Sequence, residues 1–114
     1  WLESKDMEAP QKICTSNTKY LYWSIFQQLA HQSSNGTELE AGDLYASGTI
    51  SGETEDSFGS LLELTWKGTK PITLSETGET RTFLEDGDTV IMKAFAQGDG
   101  FRIGFGEVRG TVVS

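Results

Sequence analysis

A mostly β fold entered through one helix is what this sequence predicts, on three observations. Thirteen of its 114 residues are glycine, a density that suits tightly turned β-structure and weakens helices. Turn-forming residues recur at Thr77-Gly78, Asp86-Gly87-Asp88 and Gly98-Asp99-Gly100 and cut the second half into strand-length pieces. The apolar period also changes, from helical before Gly36 to alternating after it,. One helix leading into rolled, largely antiparallel β-structure follows.

The first eleven residues are polar and weakly patterned, and the chain starts at Trp1 without Met. Together these suit a C-terminal piece of a longer protein better than a whole gene product. The spacing predicts a helix over Thr18–His31, with Leu21, Ile25, Phe26 and Leu29 along one face,. Ser16, Asn17 or Thr18 can cap its first amides, and Asn35-Gly36 offers the left-handed exit that a helix end favours. Asn35-Gly36-Thr37 also has the form of a glycosylation sequon, but here it is read as that helix-ending turn.

Leu39 and Leu44 to Ile50 are expected to form a strand broken at Gly42-Asp43 and Gly48. A second strand is expected over Leu61–Lys67, closed by Gly68-Thr69-Lys70, and a short one at Ile72–Leu74 after Pro71,. The turns then leave strands at Thr80–Leu84, Thr89–Ala96, Phe101–Val108 and Thr111–Val113. Phe101, Ile103 and Phe105 alternate with Arg102, Gly104 and Gly106, which predicts one packed face.

With 17 acidic and 9 basic residues the formal net charge is −8. That balance repels phosphate backbones and anionic lipid, so nucleic acid and membrane are expected not to be partners. Cys14 is the sole cysteine, which rules out a disulfide within the chain and makes a reducing compartment the default. The length suits one domain or less, given roughly 100–200 residues for a typical domain.

Two residues stand out chemically. Glu63 interrupts the apolar run Ser60-Leu-Leu-Glu-Leu-Thr-Trp66. On a strand it shares a face with Leu61 and Thr65, opposite Leu62, Leu64 and Trp66. Such a carboxylate is either solvated or poised to hold one N–H of an imidazole, fixing its tautomer and stabilising its cation. Thr49 sits in Ser47-Gly48-Thr49-Ile50-Ser51-Gly52. Gly48 lets a ligand approach the main chain and the hydroxyl can donate to a carboxylate, although Gly-Thr pairs also occur in ordinary turns. The segment lacks the Gly-Lys-Ser/Thr ending of a phosphate loop. His31 is the only histidine, so a histidine metal site is not expected and a place at the helix end, as a cation near the dipole terminus, suits it.

Three separated segments resemble the C-terminal segment of the fumarylacetoacetase (fumarylacetoacetate hydrolase) family. They are Tyr20-Leu-Tyr-Trp23 with Gln27-Gln28-Leu29-Ala30-His31 and Ser34-Asn35-Gly36, the block from Gly42-Asp43 to Lys70, and Gln97-Gly-Asp-Gly-Phe-Arg-Ile-Gly-Phe-Gly106. The resemblance runs from about Ile13 to Val113. It implies a mixed β-sandwich roll, part of a C-terminal catalytic domain, with residues 1–114 as that domain's last segment. It further implies a cytoplasmic homodimer that hydrolyses the carbon–carbon bond of a β-diketo acid, fumarylacetoacetate, to fumarate and acetoacetate in tyrosine and phenylalanine catabolism. A histidine activates water in that mechanism, and Mg²⁺ and/or Ca²⁺ helps hold the diketone.

Carried over residue by residue, Glu63 matches the catalytic carboxylate that orients the histidine, and Gly48 and Thr49 match substrate-binding positions. The histidine, the metal ligands and the basic clamp belong to upstream segments, so the metal ligands are expected outside this chain and the piece alone is expected to be inactive. Gln32 stands where the family often has a second histidine, Glu40-Ala41 replaces Arg-Pro, and Thr37 replaces a cysteine. A related acylpyruvate hydrolase and a non-catalytic β interaction module on the same scaffold are the alternatives.

Overall fold

The computed structural model describes residues 1–114. Mostly β-structure is what it contains, in two antiparallel sheets. The larger sheet orders β1 (Leu2–Glu3), β4 (Thr89–Gln97) and β5 (Arg102–Thr111) with β4 in the middle; the smaller pairs β2 (Ile72–Thr73) with β3 (Thr80–Arg81). Helix α1 spans Ile25–Ser33 and a one-turn helix, α2, spans Leu61–Leu64.

The β4–β5 hairpin is the longest regular element, in register from Thr89 opposite Thr111 to Gln97 opposite Arg102. Its register shifts between Lys93 and Phe95, where β5 carries one extra residue. Gly106 lies in that bulge at φ +75°, a backbone region that glycine enters without a Cβ penalty. The two strands expected at Phe101–Val108 and Thr111–Val113 are therefore one, because the Gly110 position continues the ladder opposite Val90.

A strand also forms where the sequence looked unpatterned. Leu2 pairs with Val90, and the Leu2 and Gln11 amides and carbonyls exchange hydrogen bonds of 2.8 Å. Leu2 is thereby drawn into the core with Met7 and Leu74, against Ile13, Ile72 and Val90. This cluster joins the two sheets. Its members come from the first thirteen residues and from residues 72–90, a separation that local periodicity does not register.

Three expectations are corrected. The helix over Thr18–His31 is split into a 3₁₀ turn at Thr18–Tyr20 and α1. Two caps compete on that segment: Asn17 accepts from the Lys19 amide, while Ser24 and Gln27 satisfy one another's amides in a capping box, which restarts the helix. The exit at Gly36, at φ +87°, is as expected. The strand at Leu44–Ile50 is irregular chain without a ladder, with Leu44 almost fully exposed. The strand at Leu61–Lys67 is instead helix α2 followed by left-handed residues Trp66, Lys67 and Gly68. A run of apolar residues reads equally as strand or buried helix. Here Ser60 caps the turn by accepting from the Glu63 amide, and Thr65, fully buried, ties its hydroxyl to the Leu61 carbonyl at 2.7 Å. The left-handed turn is held by the Lys67 amide on the Leu62 carbonyl at 2.8 Å.

Only ten residues are buried, and the radius of gyration is 17.0 Å, against the ~13 Å expected of a compact chain of this length. The one-sided packing predicted for Phe101, Ile103 and Phe105 is not met within the chain: Phe105 is 70% exposed. Ile25 and Phe26 on α1 are also bare, at 79% and 84%. These faces match the hydrophobic pattern of a core whose other wall this chain does not supply.

Candidate functional site

The chain from Ser47 to Leu64 folds back on itself and brings the two singled-out residues into one place. Thr15 and Ser16 tether it, through the Thr15 amide on the Asp56 carbonyl at 2.8 Å and the Ser16 hydroxyl on the Ile50 carbonyl at 2.5 Å. A 3₁₀ turn at Glu55–Ser57 reverses the chain, and the Gly52 amide closes the loop on the Ser57 carbonyl at 2.9 Å. The return leg enters α2 at Ser60. Between the legs lies an open cleft of about 510 Å³ lined by Tyr20, Leu21, Thr49, Ile50, Ser51, Ser60, Leu62 and Glu63.

Glu63 is on the first turn of α2, not on a strand, and it is half-buried at the open cleft. Its Oε2 accepts a 2.6 Å hydrogen bond from the Ser51 hydroxyl and a 3.1 Å bond from the Ser60 hydroxyl. The Ser51 hydroxyl is the main cause holding the carboxyl below its ordinary value; burial opposes it, and the Ser60 hydroxyl with the Gly59 and Ser60 amides adds to it. The carboxyl is ionised at neutral pH, as an ordinary glutamate is, and these bonds favour that charged form further.

Thr49 lines the cleft on the facing leg, and Gly48 beside it turns at φ +78° with open space around its Cα. Close backbone approach is enforced elsewhere in the loop. A Cβ at Gly59 would lie 2.8 Å from Thr49 Cγ2 and closer still to the Ile50 carbonyl oxygen. Gly59→Ala is therefore expected to push the Thr49–Ile50 leg aside, at about 1–3 kcal/mol. Urea unfolding and substrate KM of the intact parent protein measure that displacement.

His31 lies in the last turn of α1, as its spacing suggested, with its ring edge-on to Trp23 at 5.0 Å. It does not line the Thr49–Glu63 cleft. No three His, Cys, Asp or Glu side chains of this chain converge on a point. Sequence reasoning missed Ser51, Ser60 and Tyr20. A signal for Ser60 was present: Ser-Leu-Leu-Glu has the spacing of an N-cap followed three residues later by its acidic partner. Ser51 carried none, because its bond to Glu63 spans 12 residues.

The serine-held carboxylate of Glu63 and the hydroxyl-bearing Thr49 thus line one cleft. Residues 10–113 match the family described as Fumarylacetoacetate (FAA) hydrolase C-terminal, and the chain belongs to that family. It is 56% identical over 112 residues to the fumarylacetoacetase of Homo sapiens, covering 98% of this chain and 26% of that protein. Identity is 52% over 113 residues to that of Dictyostelium discoideum, at 98% and 26% coverage. It is 47% over 113 residues to that of Oryza sativa subsp. japonica, at 99% and 26%. The chain thus spans about a quarter of the length of these relatives.

Proposed function

We propose that this chain is the C-terminal part of a hydrolase that cleaves the carbon–carbon bond of fumarylacetoacetate to fumarate and acetoacetate, in tyrosine and phenylalanine catabolism. The observation that carries the reading is the convergence of Glu63 and Thr49 on one cleft in a chain of this family. Glu63, ionised, receives one ring N–H of a histidine supplied by the rest of the parent polypeptide. It fixes that ring's tautomer and stabilises the imidazolium formed when the other nitrogen takes a proton from water. Thr49 donates its hydroxyl to the substrate, and Gly48 leaves room for the substrate to reach the main chain.

Mg²⁺ and/or Ca²⁺ belongs to the parent enzyme on this reading, held by ligands outside this chain. The parent is a cytoplasmic homodimer acting on a small β-diketo acid. The bare faces of α1 and of the β4–β5 hairpin favour a chain that needs the rest of its polypeptide.

Purified alone, the 114-residue chain is expected to show no fumarylacetoacetate hydrolysis, with or without added Mg²⁺ or Ca²⁺, because an orienting carboxylate accelerates nothing without the base it serves. Supplying the upstream polypeptide is expected to restore turnover. Turnover by the chain alone would place the base within it and overturn this assignment.

A further inference from the structure

We propose that Ser51 is a positioning residue for the reaction, setting the carboxylate of Glu63 in place against the leg that carries Thr49. The inference rests on the role given above to Glu63 and adds the group that makes that role possible.

The direction of each hydrogen bond is settled by chemistry. The Gly59 amide can only donate, so at 3.1 Å the Ser51 Oγ is its acceptor. The single hydroxyl proton of Ser51 is left for the Glu63 carboxylate, which can only accept once ionised, at 2.6 Å,. Ser51 is thus used on both sides, and no rotation of its hydroxyl serves another partner as well. Charge-assisted O–H···O⁻ bonds of this length are the strong ones.

Ser60 does not duplicate the role. Its bond to Oε2 is longer, at 3.1 Å, and it sits on the same turn as Glu63. Ser60 follows α2 wherever α2 goes. Ser51 instead lies on the opposite leg of the loop, two residues from Thr49, and both side chains line the cleft. The Ser51–Glu63 bond therefore registers the two candidate site residues against one another. Both hydroxyls meet Oε2, and Oε1 receives neither. A bond to Oε2 alone fixes the carboxylate plane and leaves the second oxygen for an imidazole N–H across the cleft. Tyr20 is the other titratable side chain lining the cleft, and no charged neighbour contributes to the lowered value of Glu63. The serine hydroxyl is thus the main cause of the downward shift of the Glu63 carboxyl.

The test uses the intact parent enzyme carrying Ser51→Ala, Ser51→Cys, Ser51→Thr or, separately, Glu63→Gln. Ser51→Ala is expected to lower kcat by about tenfold, the scale seen when an orienting partner is removed, with KM within roughly twofold. Removing the hydroxyl withdraws a bond made to the charged form, so protonation of Glu63 sets in at higher pH and the acid limb of the kcat–pH profile, where the histidine loses its ionised partner, moves up with it. Ser51→Thr restores most of the rate and the wild-type limb, which a purely structural role would not link to the hydroxyl. Cysteine nearly preserves the volume while donating weakly, so Ser51→Cys reads the same loss should the alanine variant fold poorly. Wild-type kcat and an unmoved acid limb in the Cys variant, beside a crippled Glu63→Gln enzyme, would overturn the inference and leave the proposed function standing. Wild-type kcat in Glu63→Gln would bring down both.

Discussion

Glu63→Gln in the intact parent enzyme is expected to lower kcat by about 10²–10⁴-fold, with little change in KM or in the folding transition. The substitution keeps the shape of the side chain, and its carbonyl oxygen can take the place of Oε2 beneath the Ser51 and Ser60 hydroxyls. The amide NH₂ is then left on the side where Oε1 stood. A donor there faces the ring N–H of the imidazole that the carboxylate is proposed to hold, so the favoured tautomer is lost. The negative charge that stabilises the imidazolium is lost with it. Folding is spared because Glu63 is only half-buried and its backbone role in α2, the amide capped by Ser60, is unchanged. Steady-state kinetics beside circular dichroism melting separate the two effects. A wild-type rate would return Glu63 to a half-exposed carboxylate on a helical turn, with no part in the chemistry.

Arg81→Ala is expected to be the most damaging single change for stability, costing about 3–5 kcal/mol. Arg81 and Asp88 are 6% and 1% exposed, and they meet through two parallel bonds, Nε to Oδ2 at 2.8 Å and Nη2 to Oδ1 at 3.0 Å. Nη2 also reaches Glu79 Oε1 at 3.2 Å, and Nη1 reaches the Thr80 carbonyl at 3.1 Å. Glu79 in turn accepts from the Ser4 hydroxyl at 2.6 Å. The network ties β3, the turn before β4 and the N-terminal segment into one unit. Cutting away the guanidinium leaves Asp88 buried and charged without its partner, which costs more than the pair contributes. Asp88 also accepts from the Glu85 amide at 2.9 Å, so a double Arg81→Met, Asp88→Leu replacement relieves the charge but orphans that amide. Its cost is expected to be smaller than that of Arg81→Ala. Urea midpoints of the two variants decide it; equal losses would mean that shape, not charge, holds this corner together.

The same network fixes the acid sensitivity of the fold. Burial pushes Asp88 up, but the Arg81 hydrogen bonds and the Glu85 amide more than offset it, leaving the carboxyl below its ordinary value. The Ser4 and Thr77 hydroxyls, helped by Arg81, hold Glu79 down to about 2. A carboxyl depressed in the folded state stabilises it fully above its unfolded value, near ~4, and loses that contribution as the pH falls further. The gap in stability between wild type and Arg81→Ala is therefore expected to narrow below that value.

Much of the fold was legible because it is local. The turns at Thr77-Gly78 and Gly98-Asp99-Gly100 and the helix exit at Gly36 each depend on residues a few positions apart, whose backbone preferences are read directly, and the Gly98-Asp99-Gly100 turn sets up the β4–β5 hairpin,. Other features were hidden for one reason, that their causes are distant in sequence. The strand at Leu2–Glu3 exists because β4 offers it a partner. Asp88 looked like one more turn residue, yet it is buried beneath Arg81. Leu61–Leu64 has the composition of a strand, and the Ser60 cap with the left-handed turn at Trp66 and Lys67 made it a helix.

The candidate site divides the same way. Residue type and spacing alone determined that Glu63 and Thr49 were the chemical exceptions in an apolar block, with Gly48 beside Thr49, and that the chain resembles one hydrolase family. Only the tertiary structure decided that Glu63 and Thr49 share a cleft, that Glu63 sits on a helical turn, and that Ser51 holds its carboxylate. The physical reason is loop closure. The bonds from Gly52 to Ser57 and from Ser51 to Glu63 bring two legs of chain together, and no periodicity in a sequence records which hydroxyl will meet which carboxylate across such a closure.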